Sequence, residues 1–389
     1  MNIRKIEKNV SLLGAIDWNR RLFDSLIPLP HGTSYNAYLV EGSEKTALID
    51  TVDPEKIDVL LRQLESVKKI DYIIVQHCEQ DHSGAAPIIL EKYPEAKVIC
   101  SPKAKPLVIS HLNISEEKIT VIEDEEVLSL GDKTLKFLIT PWVHWPDTMC
   151  TYLEEEKILF SCDFFGSHIA TSDLFAIDEV HVYEAAKRYY AEIMMPFRSF
   201  VRKNIEKVKN FEIEFICPSH GPIYNKPSFI FDAYEDWTNS PPKKDVVIPF
   251  ISMHGSTEIM VNHLAAALTE KGVSVHLFEL SVTDIGELAK SLVDTSTIVL
   301  GTPTVLAGPH PTVMYAAILA NALRPTIKYA SVIGSLGWGG KSVEKLADAI
   351  TNLKAEIIEP VLCKGFPNKE TFEKLNKLAE TISEKLESL

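Results

Sequence analysis

The chain lacks every short-range cysteine signal. Its six cysteines, Cys78, Cys100, Cys150, Cys162, Cys217 and Cys363, include no CxxC pair. That excludes a zinc ribbon or a rubredoxin-type iron site and leaves no disulfide framework; a reducing, intracellular location fits. No apolar run reaches the about 18 residues of a transmembrane helix. The opening stretch MNIRKIEKNVSLLGAIDW has no signal-peptide h-region, so a cytoplasmic protein without a membrane partner is expected. Positive charge is scarce as well: 40 Lys and Arg stand against 54 Asp and Glu, a net charge of −14. That balance argues against a nucleic-acid partner. No internal repeat or low-complexity segment is present. At 46% hydrophobic and 24% charged, the composition is that of a folded chain, and 389 residues allow two or three domains.

What is present divides in two. Up to about residue 240, short β-type runs dominate: NAYLV, KTALID, YIIVQH, KVICS, TLKFLIT, TYLEEEKILFSCD and FEIEFICPSH. Helices are expected over Pro54–Val67 and over Val182–Asn210, the second broken near Pro196. Strands with helices outside them suggest a layered α/β sandwich over residues 1–240. NSPPKK, residues 239–244, reads as a stiff linker. From 245 to 389 five strand patterns alternate with five helix patterns, which predicts a doubly wound, flavodoxin-like parallel sheet.

The chemistry concentrates in HCEQDH, residues 77–82. It follows the apolar run YIIV, and strand ends hold functional groups rigidly. In an extended segment His77, Glu79 and Asp81 point one way, with His82 at the turn. Such groups converge without waste only around a positive charge. His144, Asp163 and His220 also follow β-type runs, in PWVHWPDT, LFSCDFFG and CPSHGPI. No cysteine stands at a ligand position. Mixed imidazole and carboxylate ligands suit iron or manganese, and seven of them suit two ions with Asp163 bridging. A single histidine after a strand is ordinarily a loop residue. His31, His111, His168, His181, His254, His263, His276 and His310 fall in that class, with His168 the best placed to support the ligands.

The pattern HxExDH with His144, Asp163 and His220 resembles the flavodiiron proteins, a branch of the metallo-β-lactamase superfamily with Glu79 where other branches have His. GTSYNAYLV, HWPDT, DFFGSHIATS and PSHG add to the resemblance, which spans nearly the whole chain. It implies a metallo-β-lactamase-like αββα sandwich followed by a flavodoxin-like domain. One iron would be held by His77, Glu79 and His144, the other by Asp81, His82 and His220, with Asp163 between them. It also implies reduction of O2 to water, or of NO to N2O, with electrons passing through FMN. The donor would be separate, rubredoxin or a reduced deazaflavin coenzyme, and the assembly a head-to-tail homodimer or a dimer of dimers.

FISMHGSTEIM opens the first helix of the second half, where helix N–H groups and hydroxyls bind phosphate. The expected flavin contacts there are Ser252, Met253, His254, Gly255, Ser256 and Thr257. The resemblance adds Thr302, Pro303, Thr304 and Val305, then Ser335, Leu336, Gly337, Trp338 and Gly339, around the isoalloxazine. The family more usually has Trp at the position of His254 and Asn-rich sequence at Leu306 and Ala307. Two other functions remain open on the residues alone. One is a zinc hydrolase with a fused flavodoxin-like domain, against which Glu79 speaks. The other is an electron carrier with a structural metal.

Overall fold

A computed structural model describes residues 3–389. Contacts divide the chain into two compact units, residues up to 190 with 197–238, and 191–196 with 239–389.

The first unit holds two sheets. One runs β1 (Arg4–Glu7), β2 (Val10–Asp17), β3 (Thr33–Glu41), β4 (Thr46–Ile49), β5 (Tyr72–Val75), β6 (Lys97–Cys100) and β7 (Ile119–Val121), in that spatial order. It is antiparallel as far as β4 and parallel beyond. The other runs β8 (Val127–Ser129), β9 (Thr134–Ile139), β10 (Met149–Leu153), β11 (Ile158–Cys162) and β12 (Phe215–Pro218). The strands of the first sheet read as continuous apolar runs because both faces are covered. Successive side chains enter different cores. Leu13, Ala37, Leu39 and Ile73 pack with Leu60, Leu64, Ile89 and Val108 under the helices. Leu12, Tyr38, Val40 and Ile74 pack with Phe137, Met149 and Phe160 of the facing sheet. The residues suggested a layered α/β sandwich, and this is the αββα form that the resemblance implied.

The helices are α1 (Ile57–Gln63), α2 (Gln80–Ser83), α3 (Ala86–Lys92), α4 (Ala104–Leu112), α5 (Glu179–Tyr189), α6 (Arg198–Val208) and α7 (Pro227–Asn239). The expected helix Pro54–Val67 is α1 with a 3-10 turn at each end. The expected break near Pro196 is real: a π turn and a 3-10 turn separate α5 from α6. The pattern reading did not find α2, α3, α4 or α7. The first three are short, and propensity over so few residues decides little.

The second unit is a parallel sheet of β13 (Lys243–Phe250), β14 (Ser274–Glu279), β15 (Thr295–Val305), β16 (Tyr329–Leu336), β17 (Glu356–Ile357) and β18 (Val361–Lys364). Its order is β14-β13-β15-β16, with β17 and β18 both on β16. The expected fifth strand is thus two short ones, separated around Pro360, which has no N–H for the ladder. Helices α8 (Ser256–Glu270) and α12 (Lys369–Glu387) cover one face, through Met260, Leu264, Leu375 and Ile382. Helices α9 (Ile285–Ser291), α10 (Pro311–Leu323) and α11 (Ser342–Ala349) cover the other, through Leu288, Val313, Ala317 and Leu346. The loops after β13, β15 and β16 therefore share one sheet edge, the usual ligand edge of this topology. Among the described residues, no helix is long and apolar enough to cross a membrane.

Candidate metal centre and cofactor loops

The exit from β5 is held by Asp50, whose carboxylate accepts the Gln76 N–H at 2.9 Å and the Gln76 side-chain amide at 2.8 Å. The chain stays extended to Glu79 and then turns helical at Gln80. The expected extended alternation through Asp81 therefore does not hold. The Glu79 carbonyl accepts the His82 and Ser83 N–H groups and the Ser83 hydroxyl, which closes a helical turn. That turn separates the hexapeptide's ligands into two sets.

In the first set, Glu79 Oε2 lies 3.2 Å from His77 Nε2 and 3.1 Å from His144 Nε2. In the second, Asp81 Oδ2 lies 3.1 Å from His220 Nε2, and Asp81 Oδ1 lies 3.4 Å from His82 Nε2. Asp163 serves both. Its Oδ2 is 3.7 Å from His77 and 3.5 Å from His144; its Oδ1 is 2.9 Å from His82 and 3.5 Å from His220. All seven expected ligands come together, buried or nearly so. Two ligands each about 2.1 Å from one ion stand about 3 Å apart across a right angle, so the spacing fits. Both oxygens of Asp81, and Oδ2 of Asp163, are buried yet receive no hydrogen bond. They face a common centre instead of a donor, as a metal's ligands do.

Without a cation, the balancing positive charge falls to His77 and His82. Burial favours neutral imidazole, but Asp147 and Glu79 push His77 well above the usual histidine range. Against the same burial, Asp163 and Asp81 take His82 up to about 10. Burial works against the charged forms of Glu79 and Asp163 too, yet the histidines hold both well below the ordinary carboxylate range. The pocket is built for paired opposite charge, and a metal ion satisfies its carboxylates as protons on the histidines do.

A second layer of groups was not singled out from sequence. Asp147 lies 3.2 Å from His77 Nδ1. Ser34 offers its carbonyl to His220 Nδ1 at 2.7 Å. The Tyr189 hydroxyl donates to Asp163 Oδ1 at 2.8 Å. Asp24 lines the cleft beside Glu79 and Asp81, a space of about 340 Å³. Burial and those two carboxylates lift Asp24 to about 6. Asp147 and Ser34 lay in stretches already quoted, HWPDT and GTSYNAYLV, and Tyr189 lies in the aromatic run RYYAEIMMPF; Asp24 carries no local signal. His168 is buried against His220, with ring centroids 4.8 Å apart, and its Nδ1 meets the Thr33 hydroxyl at 2.9 Å. Burial, then His220, holds it well below the usual histidine range, so it is neutral.

In the second unit, Gly255 precedes α8 with φ +84, a left-handed conformation that favours glycine. The Ser252 hydroxyl accepts the Glu258 N–H at 3.2 Å, which shapes the loop around Met253, His254 and Ser256. Thr257 Oγ1 and Ser335 Oγ lie 3.4 Å apart and tie the first loop to the one after β16. Thr302 accepts the His310 N–H, and Thr304 meets Ser342, which ties the β15 loop to α11. Pro303 is buried and Val305 half-buried; Leu336 ends β16. At Gly337 and Gly339 an added Cβ would meet no protein atom within 4 Å, so packing within this unit does not demand glycine there. Trp338 stands 81% exposed between them. Space of this kind along the ligand edge fits a flat ring with a phosphate at the α8 N-terminus.

Comparison with known proteins agrees with both halves. Residues 33–221 match the ODP family beta lactamase model, and residues 248–385 match the flavodoxin model. A nitric oxide reductase of Moorella thermoacetica is 36% identical, covering 98% of each chain. A rubredoxin-oxygen oxidoreductase of Megalodesulfovibrio gigas is also 36% identical, over 100% of this chain and 99% of that one. A coenzyme F420H(2) oxidase of Methanothermobacter marburgensis is 34% identical, over 97% and 98%. Among solved structures, the rubredoxin oxygen:oxidoreductase of Desulfovibrio gigas superposes with a TM-score of 0.95, at 35% identity and 99% coverage of both chains. The flavodiiron protein of Giardia intestinalis superposes with a TM-score of 0.88, at 27% identity over 99% and 98%. With both of its halves matched and its whole length shared, the chain belongs to the flavodiiron proteins, a family of oxidoreductases.

Proposed function

We propose that this protein reduces O2 to water or NO to N2O at a pair of iron ions, with electrons arriving through FMN. The observation that carries the reading is Asp163, whose two oxygens face two separate three-residue sets. His77, Glu79 and His144 would hold one iron and Asp81, His82 and His220 the other, with Asp163 shared. Iron so held supplies one-electron chemistry and coordination room for a diatomic. The chain's own part is to orient and exclude water. Asp147 and the Ser34 carbonyl aim two imidazoles, while the fully buried Tyr189 meets Asp163 through its hydroxyl. Residues 1–240 form the metal module and 245–389 the flavin module in this reading. Ser252 to Thr257 receive the phosphate; Thr302 to Val305 and Ser335 to Gly339 embrace the ring.

The relatives' names support a separate donor of electrons, rubredoxin or F420H2. A head-to-tail homodimer, or a dimer of such dimers, completes the proposal by placing one chain's flavin at its partner's irons. The test is anaerobic. The protein is reduced, O2 and NO are added separately, and turnover is followed with each donor. Asp163→Ala is expected to lose iron and keep flavin; the pair Ser256→Ala and Thr257→Ala is expected to do the reverse. A sample prepared with ample iron and riboflavin that held only zinc would overturn the reading.

A further inference from the structure

We infer that Asp147 is a positioning residue that fixes His77 as its Nδ1–H tautomer, leaving Nε2 to ligate the first of the two metal positions. The inference rests on the reading that the seven residues hold two ions. Asp147 and His77 are both 0% exposed. Asp147 Oδ2 lies 3.2 Å from His77 Nδ1 and accepts the Cys78 N–H at 2.9 Å. One oxygen thus pins both the ring and the following peptide. An ionised carboxylate only accepts, so the proton between them sits on Nδ1. In the neutral ring Nε2 then carries a lone pair, and it faces Glu79 Oε2 at 3.2 Å and Asp163 Oδ2 at 3.7 Å.

Two further observations favour a role toward a metal over packing alone. Asp147 Oδ1 is buried without a partner. A buried carboxylate with so few donors is stabilised by positive charge nearby. The second position is built differently, since His220 Nδ1 donates to the neutral Ser34 carbonyl. A carboxylate partner raises imidazole basicity more than a carbonyl does. This contact therefore strengthens the hold of His77, and so of the first position, on its ion. The segment that supplies Asp147 also supplies His144, and its Trp145 ring stands edge-on to His77 at 4.8 Å. The Ser101 hydroxyl anchors it through the Asp147 carbonyl at 2.7 Å.

The experiment titrates metal-free protein, FMN retained, with Zn2+ in competition with a chelating dye. Wild type is expected to bind two ions. Asp147→Asn is expected to weaken one of the two by about 10–100-fold and leave the other unchanged. In zinc-loaded wild type, nitrogen-15 NMR is expected to show His77 with a protonated, hydrogen-bonded Nδ1; this measurement does not require the variant to fold. Unchanged affinities in Asp147→Asn, or an unprotonated His77 Nδ1 in wild type, would overturn the inference while two ions still bind. A wild type that binds no zinc, or a His77→Ala variant with undiminished binding, would overturn the two-ion reading and this inference with it.

Discussion

At the scale of single residues, the centre depends on groups that hold the ligands as much as on the ligands. Tyr189 is fully buried and its hydroxyl donates to Asp163 Oδ1. Tyr189→Phe removes that donor and leaves a buried carboxylate oxygen short of a bond. Without metal the first unit should lose about 1–3 kcal/mol. With metal bound the loss should shrink, because the ion supplies the missing positive partner. Urea unfolding of the metal-free and zinc-loaded variants measures both; equal losses in the two states would count against the account. The seven clustered residues, proposed as ligands, were legible in sequence because their residue types are costly to bring together without a positive charge. Asp24 was not, since an aspartate in a loop is ordinary in isolation, and Tyr189 was legible only as one aromatic of RYYAEIMMPF, a run that reads equally as pocket lining or core.

At the scale of elements, strand periodicity was readable and short helices were not. The hexapeptide shows why this matters. An extended run would have pointed His77, Glu79 and Asp81 at one ion. The turn at Gln80 instead sends Asp81 and His82 to a second set. The Glu79 carbonyl, by accepting the His82 and Ser83 N–H groups, closes that turn. Elsewhere in the sandwich, Asp71, which leads into β5, accepts the Thr46 N–H of β4 at 3.0 Å and pairs with Lys69 and Lys45. Burial alone would raise its pKa, but Lys69, Thr46 and Lys45 together bring it below the usual value. A group depressed on folding stabilises above its unfolded pKa, near about 3.9 for aspartate. That stability fades as pH falls through the folded value. Between about pH 5 and pH 2 the unfolding midpoint of Asp71→Asn should thus fall less than that of wild type. Parallel curves would show that Asp71 contributes nothing to the acid transition.

At the scale of the whole molecule, each unit has its own pair of cores and its own ligand class. Calorimetry should therefore resolve two transitions that move independently. Free FMN at a hundred times its Kd should raise the flavodoxin-like transition by the equivalent of about 2.7 kcal/mol and leave the other in place. Stripping metal with a chelator should lower only the transition of the sandwich. One transition that shifted as a unit with either ligand would contradict this. The sequence by itself determined the two-part architecture, the residue types that cluster and the loop edge of the second unit. Strand alternation, strict βα succession and an unusual density of imidazole and carboxylate are local signals that survive without coordinates. Only the tertiary structure decided how the ligands divide. Asp163 serves both sets because β11 delivers it between loops from β5, β9 and β12. Asp147 meets His77 across 70 residues, and proximity over that distance is set by packing two sheets together and by no local propensity.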